Sequence, residues 1–422
     1  MAGATWRAPR PAPRSIRLAL ITVAALAATV AACTPGARWQ GPDGNAGTPT
    51  TPPLTLVYSH EEGEVDVSPG KPVTVEAIDG TLQTVTLTSN IGEVPGLLAQ
   101  DGSMWRTLED LEFGKTYTLT VSGVGAGGEA VEEDRTFSTV DVAVGFYWNV
   151  YLKTSAMYYG VALDGGTFGV GQPIVAQFDD AVDQSVAERT LAVQANPPVP
   201  GAWHWMSDRE AHWRPQSYWT PGTTVTVTAN ILGVALTSPM GGRELHGQEN
   251  KTATFTIGQS KIAKIDNNTK QMVIYVDGQP VKTVPVSLGR EQAYQSINGQ
   301  WYDWRTPSGV MVVTEKHDPV QMRPDLPKDD PQYYEEIIPL ATRITDTGIY
   351  VHSAPWSVAD QGVRNVSHGC INVSPDNAQW FFDNFGPGDV VEVVNTGVNV
   401  GVRDGLGDWN MPWEEWLAGS AV

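Results

Sequence analysis

Trp105-Arg106, followed by Leu111, Gly114 and Thr116-Tyr117-Thr118-Leu119-Thr120, recurs 108 positions later as Trp213-Arg214, Trp219, Gly222 and Thr224-Val225-Thr226-Val227-Thr228. Both copies place a Trp ahead of a glycine turn and then a run that alternates threonine with larger apolar or aromatic residues. Such alternation puts one face of a strand into a core and the other into water. A spacing near one hundred residues is one sandwich domain, so the repeat predicts two related β-sandwiches in tandem.

The surroundings agree with this. Val73-Thr74-Val75-Glu76-Ala77 and Thr84-Val85-Thr86-Leu87-Thr88 alternate in the same way between Gly-, Pro- and Asn-rich turns, and each copy reaches a closing strand at Thr136-Phe137 or Phe255-Thr256. Two Ig-like domains are therefore expected at 54–140 and 141–259. Trp203, Trp205, Trp213 and Trp219 are expected in the core, the alternative being an exposed sugar-binding face.

A third unit opens at 260. Met272-Val273-Ile274-Tyr275-Val276, the turn Asp277-Gly278 and Val281-Lys282-Thr283-Val284-Pro285-Val286 read as a hairpin. Further strands are expected at 309–315, 348–352 and 389–394. One helix is strongly signalled: Ser374 can cap it, Pro375 suits its first position, and Ala378, Trp380, Phe381 and Phe385 give it an apolar face before Gly386. The unit ends near 395, and 396–422 forms an extension bearing Trp409, Trp413 and Trp416. The expected fold class is thus mainly β.

At the other end, Arg7, Arg10, Arg14 and Arg17 precede an apolar run from Leu18 to Ala32, too short to span a bilayer comfortably. Residues 1–32 read as a signal peptide. Val30-Ala31-Ala32-Cys33 resembles a bacterial lipobox, whose cysteine is lipidated; ordinary cleavage near Ala32 is the alternative. The Gly-, Pro- and Thr-rich stretch that follows, 33–53, cannot form a core and reads as a flexible tether.

Lys plus Arg total 27 against 47 Asp plus Glu, a formal net charge of -20. The chain has no basic stripe to neutralise phosphates, which argues against nucleic acid as a partner. Like charge also argues against adhesion of the folded part to anionic lipid, so attachment to a membrane has to come from the N-terminus.

Cys33 and Cys370 are the two cysteines. With Cys33 lipidated, Cys370 has no disulfide partner, and a lone thiol in an oxidising compartment points to chemistry. Its context is Ser367-His368-Gly369-Cys370-Ile371-Asn372, with His352-Ser353 eighteen residues earlier at the end of an expected strand. A thiol with a pKa near ~8.5 is mostly protonated at neutral pH, so it needs an imidazole to take its proton. Gly369 allows a tight turn in which the Gly369 and Cys370 amides converge on an oxyanion. His60, His204, His212, His246 and His317 lack metal-ligand spacing, and neither metal nor cofactor is expected.

From Tyr350 to Asn395, including His352-Ser353-Ala354-Pro355-Trp356-Ser357 and the SHGC-x-N pattern, the chain resembles the L,D-transpeptidase catalytic domain, and nearly the whole mature chain resembles actinobacterial lipoproteins of that family. The resemblance implies that Cys370 attacks a peptide carbonyl, that His352 deprotonates it, and that Ser353 orients the imidazole through its carbonyl. It places the oxyanion hole at the amides around His368, Gly369 and Cys370. Tyr334 matches a lid tyrosine. Met322 is set against a lid methionine, with Pro324, Pro327 and an acidic run intervening. Ser367, His368 and Asn372 match further pocket positions, His368 being either a substrate contact or a loop former.

The implied partners are donor and acceptor stem peptides of peptidoglycan. The implied reaction is formation of 3-3 cross-links through a Cys370 thioester, with susceptibility to carbapenems. The implied location is the extracytoplasmic face of the cell membrane. Water as acceptor, giving an L,D-carboxypeptidase, and an inert wall-binding lipoprotein are the alternatives. Glu335-Glu336 beside Tyr334 is treated as solvated and outside the site.

Overall fold

The computed structural model of the chain describes residues 52–143, 147–155, 162–238 and 242–422. The expected leader, Cys33 and all but the end of the tether lie outside the described residues. Residues 51–422 form one compact unit.

The first sandwich pairs a four-stranded sheet, Thr55–Tyr58, Thr74–Ile78, Met104–Thr107 and Gly96–Leu98, with a five-stranded one built on Gly80–Ser89, Thr116–Gly125 and Ala130–Thr139. Val75, Leu87, Trp105, Tyr117, Leu119 and Phe137 are buried between them. The second sandwich repeats the plan. Val150–Lys153, Ile174–Phe178, Glu210–Pro215 and Gly201–Ser207 face a sheet that contains Thr224–Ala229 and Lys251–Ile257.

The duplicated residues do the same physical work in both copies. Trp105 lies across Gly96, and Trp213 across Gly201, each on the neighbouring strand; a Cβ on either glycine would sit 2.1 Å from the indole. Gly114 and Gly222 both take positive φ, 64° and 81°, which a side chain disfavours. In the first copy the Tyr117 hydroxyl also accepts the Glu112 N–H at 2.9 Å and pins the turn. Trp203, Trp205, Trp213 and Trp219 are all buried, so they belong to the core and not to a sugar-binding face.

The third unit has a five-stranded sheet in the order Gln279–Pro285, Gln271–Val276, Lys261–Asp266, Val390–Val394 and Gly309–Val312. Asp277 and Gly278, with φ of 48° and 78°, make the tight hairpin turn between its first two strands in that order. A second sheet of four strands, Glu315–His317, Ala341–Arg343, Tyr350–Ser353 and Ile371–Val373, carries the site. The helix Pro375–Asn384 begins after the Ser374 cap and buries Ala378 and Phe381. A short helix that the sequence did not signal, Gln184–Arg189, is capped by Asp183, whose carboxylate accepts the Ser185 and Val186 amides.

The extension folds back on the second sandwich. Trp416 is fully buried and its indole N–H donates to Ala202 O at 2.9 Å. The Arg214 guanidinium lies 5.0, 5.2 and 4.4 Å from the ring centres of Trp409, Trp413 and Trp416. Stacking a cation on several indoles is favourable where water is excluded. The three tryptophans of the tail are therefore a clamp on Arg214.

Candidate active site

The strands Tyr350–Ser353 and Ile371–Val373 run parallel, with Val351 opposite Ile371 and His352 opposite Asn372. Parallel neighbours need a long crossover, here residues 354–370, and the crossover returns the chain so that Cys370 enters the sheet beside His352. Both residues line one cleft of about 290 Å³, together with Met322, Tyr334, Trp356, Ser367, His368 and Asn372.

His352 is buried, and its Nδ1 donates to Ser353 O at 2.9 Å. That bond leaves the Nε2 lone pair without a partner among the described residues. Burial lowers the imidazole pKa below 6.5, the Ser353 carbonyl working against it, so the ring is neutral and basic at neutral pH. Cys370 is unpaired, and burial pushes its thiol up to about 11, opposed by the Tyr350 amide. The sulfur donates to Gly348 O at 3.7 Å. It makes no hydrogen bond to His352, so the resting pair is a neutral thiol beside a neutral imidazole.

The loop before the cysteine is held by its own serine. Ser367 Oγ donates to Cys370 O at 2.6 Å and accepts the Gly369 N–H at 3.1 Å. Gly369 takes φ of 129°, a conformation that favours glycine although a Cβ would meet only ordinary contacts, Ile349 and Trp304 O at 3.9 Å. Of the two amides expected to meet an oxyanion, that of Gly369 is thus engaged. The Cys370 N–H has no acceptor among the described residues.

His368 is held by a guanidinium and two aromatic rings. Its Nε2 accepts from the Arg290 guanidinium, and its ring stands edge-on to Trp304 at 4.6 Å and tilted against Tyr334 at 5.0 Å. Burial and Arg290 together lower its pKa to about 4. Tyr334 is raised to about 12 by burial and by the Cys370 and Glu336 charges. Its phenol is a donor at any physiological pH.

Met322 is buried in a small cluster with Ile338, Ala341 and Tyr350, against which Tyr334 and Cys370 pack. Asn372 donates to Ser357 Oγ at 3.1 Å, while its buried Oδ1 has no partner among the described residues. Glu336 lines the cleft, whereas Glu335 accepts from Gln321 outside it.

Sequence inspection missed Arg290, Trp304 and Thr306. Thr306 is 1% exposed; its hydroxyl donates to Gly369 O at 2.7 Å and accepts the Gly289 N–H at 2.9 Å. The one local hint was Trp304-Arg305-Thr306, an aromatic and a hydroxyl beside a strand.

Fold and cleft together define a class: an enzyme domain carried on Ig-like sandwiches. The model of the bacterial Ig domain matches residues 64–235, and that of the L,D-transpeptidase catalytic domain matches residues 260–393. The chain is 40% identical to L,D-transpeptidase 2 of Mycobacterium tuberculosis over 373 residues, 87% of this chain and 85% of the relative. It is 31% identical to L,D-transpeptidase 5 of the same organism over 379 residues, 88% of this chain and 78% of the relative. A solved L,D-transpeptidase in complex with imipenem is 30% identical and superposes with a TM-score of 0.46, covering 58% of this chain and 99% of that one. The chain belongs to the L,D-transpeptidase family and is an L,D-transpeptidase.

Proposed function

We propose that the enzyme makes 3-3 peptidoglycan cross-links through a thioester on Cys370. The observation that carries this is the pairing of a lone thiol with an imidazole whose Nδ1 is tied to Ser353 O, both on one cleft wall. In this reading the thiol turns from Gly348 O to His352 as the donor stem enters. His352 takes the proton as sulfur attacks the carbonyl between meso-diaminopimelate and the terminal D-Ala. The carbonyl electron pair moves to oxygen, where Tyr334 and the Cys370 amide donate to it. Collapse breaks the C–N bond, His352 returns the proton to the departing D-Ala amine, and an acyl thioester remains. An amine of a neighbouring stem then attacks the thioester and gives a proton to His352, the C–S bond breaks, His352 returns the proton to the departing sulfur, and the new amide is the cross-link.

In this reading the same thiol would open the lactam ring of a carbapenem, and the enzyme would be a carbapenem target. Lipidation at Cys33 would hold the enzyme on the extracytoplasmic face of the membrane, with the sandwiches between lipid and wall.

Mass spectrometry after incubation with a tetrapeptide stem tests the chemistry. Wild type should gain the donor acyl group less D-Ala on the peptide containing Cys370, and Cys370→Ala should gain nothing; an adduct that survives Cys370→Ala defeats the proposal. Supplying an acceptor stem separates transfer from hydrolysis, since free tripeptide alone would mean that water is the acceptor. Cys33→Ala should move the native protein from the membrane fraction to the soluble one.

A further inference from the structure

Thr306 reaches the nucleophile loop from another part of the fold. It lies between the strands Trp301–Asp303 and Gly309–Val312, and its hydroxyl bridges two backbone groups that are otherwise unrelated, Gly289 N–H and Gly369 O. The approach is close: a Cβ on Gly289 would sit 1.8 Å from Trp304 O and 2.7 Å from Thr306 N. Only glycine at 289 lets the 304–306 segment pass at that depth. The hydroxyl is buried, so both of its bonds are made in a dry environment, where a broken partner is costly.

The consequence falls on Cys370. A trans peptide points its carbonyl and its N–H in opposite directions. With Gly369 O fastened to Thr306, which is outside the cleft wall, the N–H of the same peptide, that of Cys370, is turned away from Thr306 and left without an acceptor. Gly369 at φ of 129° has no side chain to resist rotation of that peptide, so the tether must come from elsewhere. Ser367 supplies the second tether, by donating to Cys370 O.

We propose that Thr306 is a positioning residue that aims the Cys370 amide at the oxyanion. The inference rests on the acyl-transfer reading above, and it concerns a donor of that loop that has no acceptor among the described residues. Thr306 touches neither substrate nor sulfur; it acts through the Gly369–Cys370 peptide.

The test compares two reactions of the same sulfur in full-length protein. Acylation by a tetrapeptide stem develops an oxyanion, whereas alkylation by iodoacetamide displaces iodide at carbon and develops none. Thr306→Val, which keeps the shape and removes the hydroxyl, should slow acylation by about 10- to 100-fold, the range for a lost or misaimed oxyanion donor. The alkylation rate, its pH profile and KM for the stem should stay within about twofold of wild type, and Thr306→Ser should restore acylation.

An equal loss in both reactions would make Thr306 a plain structural residue, and unchanged acylation would also overturn the inference. If Thr306→Val does not fold, Thr306→Ala, which deletes atoms and adds none, carries the same comparison. In wild type, the Cys370 amide resonance should shift on acylation more than that of Gly369, which is committed to Ser367; a smaller shift overturns the inference without any variant. Failure of wild type to acylate at Cys370 would instead remove the acyl-transfer reading itself.

Discussion

The guanidinium of Arg290 donates to Nε2 of His368, and this contact separates the roles of two imidazoles that line the same cleft. A nitrogen whose lone pair is held by a cation cannot take a proton from a thiol. The Nε2 of His352 has no such partner among the described residues, and its ring is fixed from the other side by Ser353 O. Arg290 itself rests over Trp304 at 4.2 Å and donates to Gln332, so no carboxylate among the described residues draws it away from His368.

Arg290→Ala should therefore change His368 and spare His352. The His368 titration, near 4 in wild type, should rise but stay under 6.5, because Trp304 and Tyr334 still cover the ring and burial is the larger cause. Imidazole resonances followed against pH report this directly. A His368 midpoint unmoved by Arg290→Ala would show that the contact does not govern the ring.

The two histidines should also part in kinetics. His352→Ala should lower acylation of Cys370 by roughly 10² to 10⁴, the usual contribution of a positioned base. His368→Ala should leave the pH profile of Cys370 alkylation in place and act mainly on binding or stability. Because the His352 pKa is lowered and Cys370 titrates near 11, wild-type acylation should rise with pH through a midpoint below 6.5 and then stay level across neutrality. A main inflection at pH 8 to 9 would mean that a preformed thiolate, and not base-assisted attack, limits the reaction.

Tyr334 keeps its proton up to about pH 12, and it lines the cleft that contains Cys370. Tyr334→Phe should slow acylation by roughly 10²-fold if the phenol is one oxyanion donor. Rapid mixing with a chromogenic carbapenem would measure it. Full acylation rates in Tyr334→Phe would take the residue out of the chemistry.

How far the sequence could be read depended on the range of each interaction. The sandwiches were legible because Trp105 and Trp213 need glycine on the next strand, and Gly114 and Gly222 need positive φ, so duplication preserved a visible pattern. Cys370 and His352 were legible as chemistry because the whole nucleophile loop is one short motif. Arg290 and Thr306 were not, since they meet His368 and Gly369 across 78 and 63 residues, and nothing local marks either one. The helix Gln184–Arg189 is too short to show a period. The tail tryptophans stood out, but Arg214 as their shared centre required the fold.

His212 looked like an unremarkable histidine in the sequence, and it is the centre of a buried ion cluster joining the second sandwich to the extension. Its Nδ1 meets Asp408 Oδ1 at 2.6 Å and its Nε2 meets Glu210 Oε1 at 3.0 Å. Burial alone would lower its pKa, but the Asp408 and Glu210 carboxylates outweigh burial and raise it to about 10. A raised pKa in the folded state means that protonation favours folding. The stabilisation should be complete below about 6.5, where the unfolded chain also holds the proton, and should fade as pH rises toward 10 and the buried ring loses its charge. Beyond that point Asp408, fully buried and with Oδ2 unpartnered among the described residues, faces a neutral ring. Thermal or urea melts of wild type and His212→Asn at pH 6.5, 8 and 10 should show a gap in stability that narrows with each step. A gap as wide at pH 10 as at pH 6.5 would mean that the imidazole acts there by packing and not by charge.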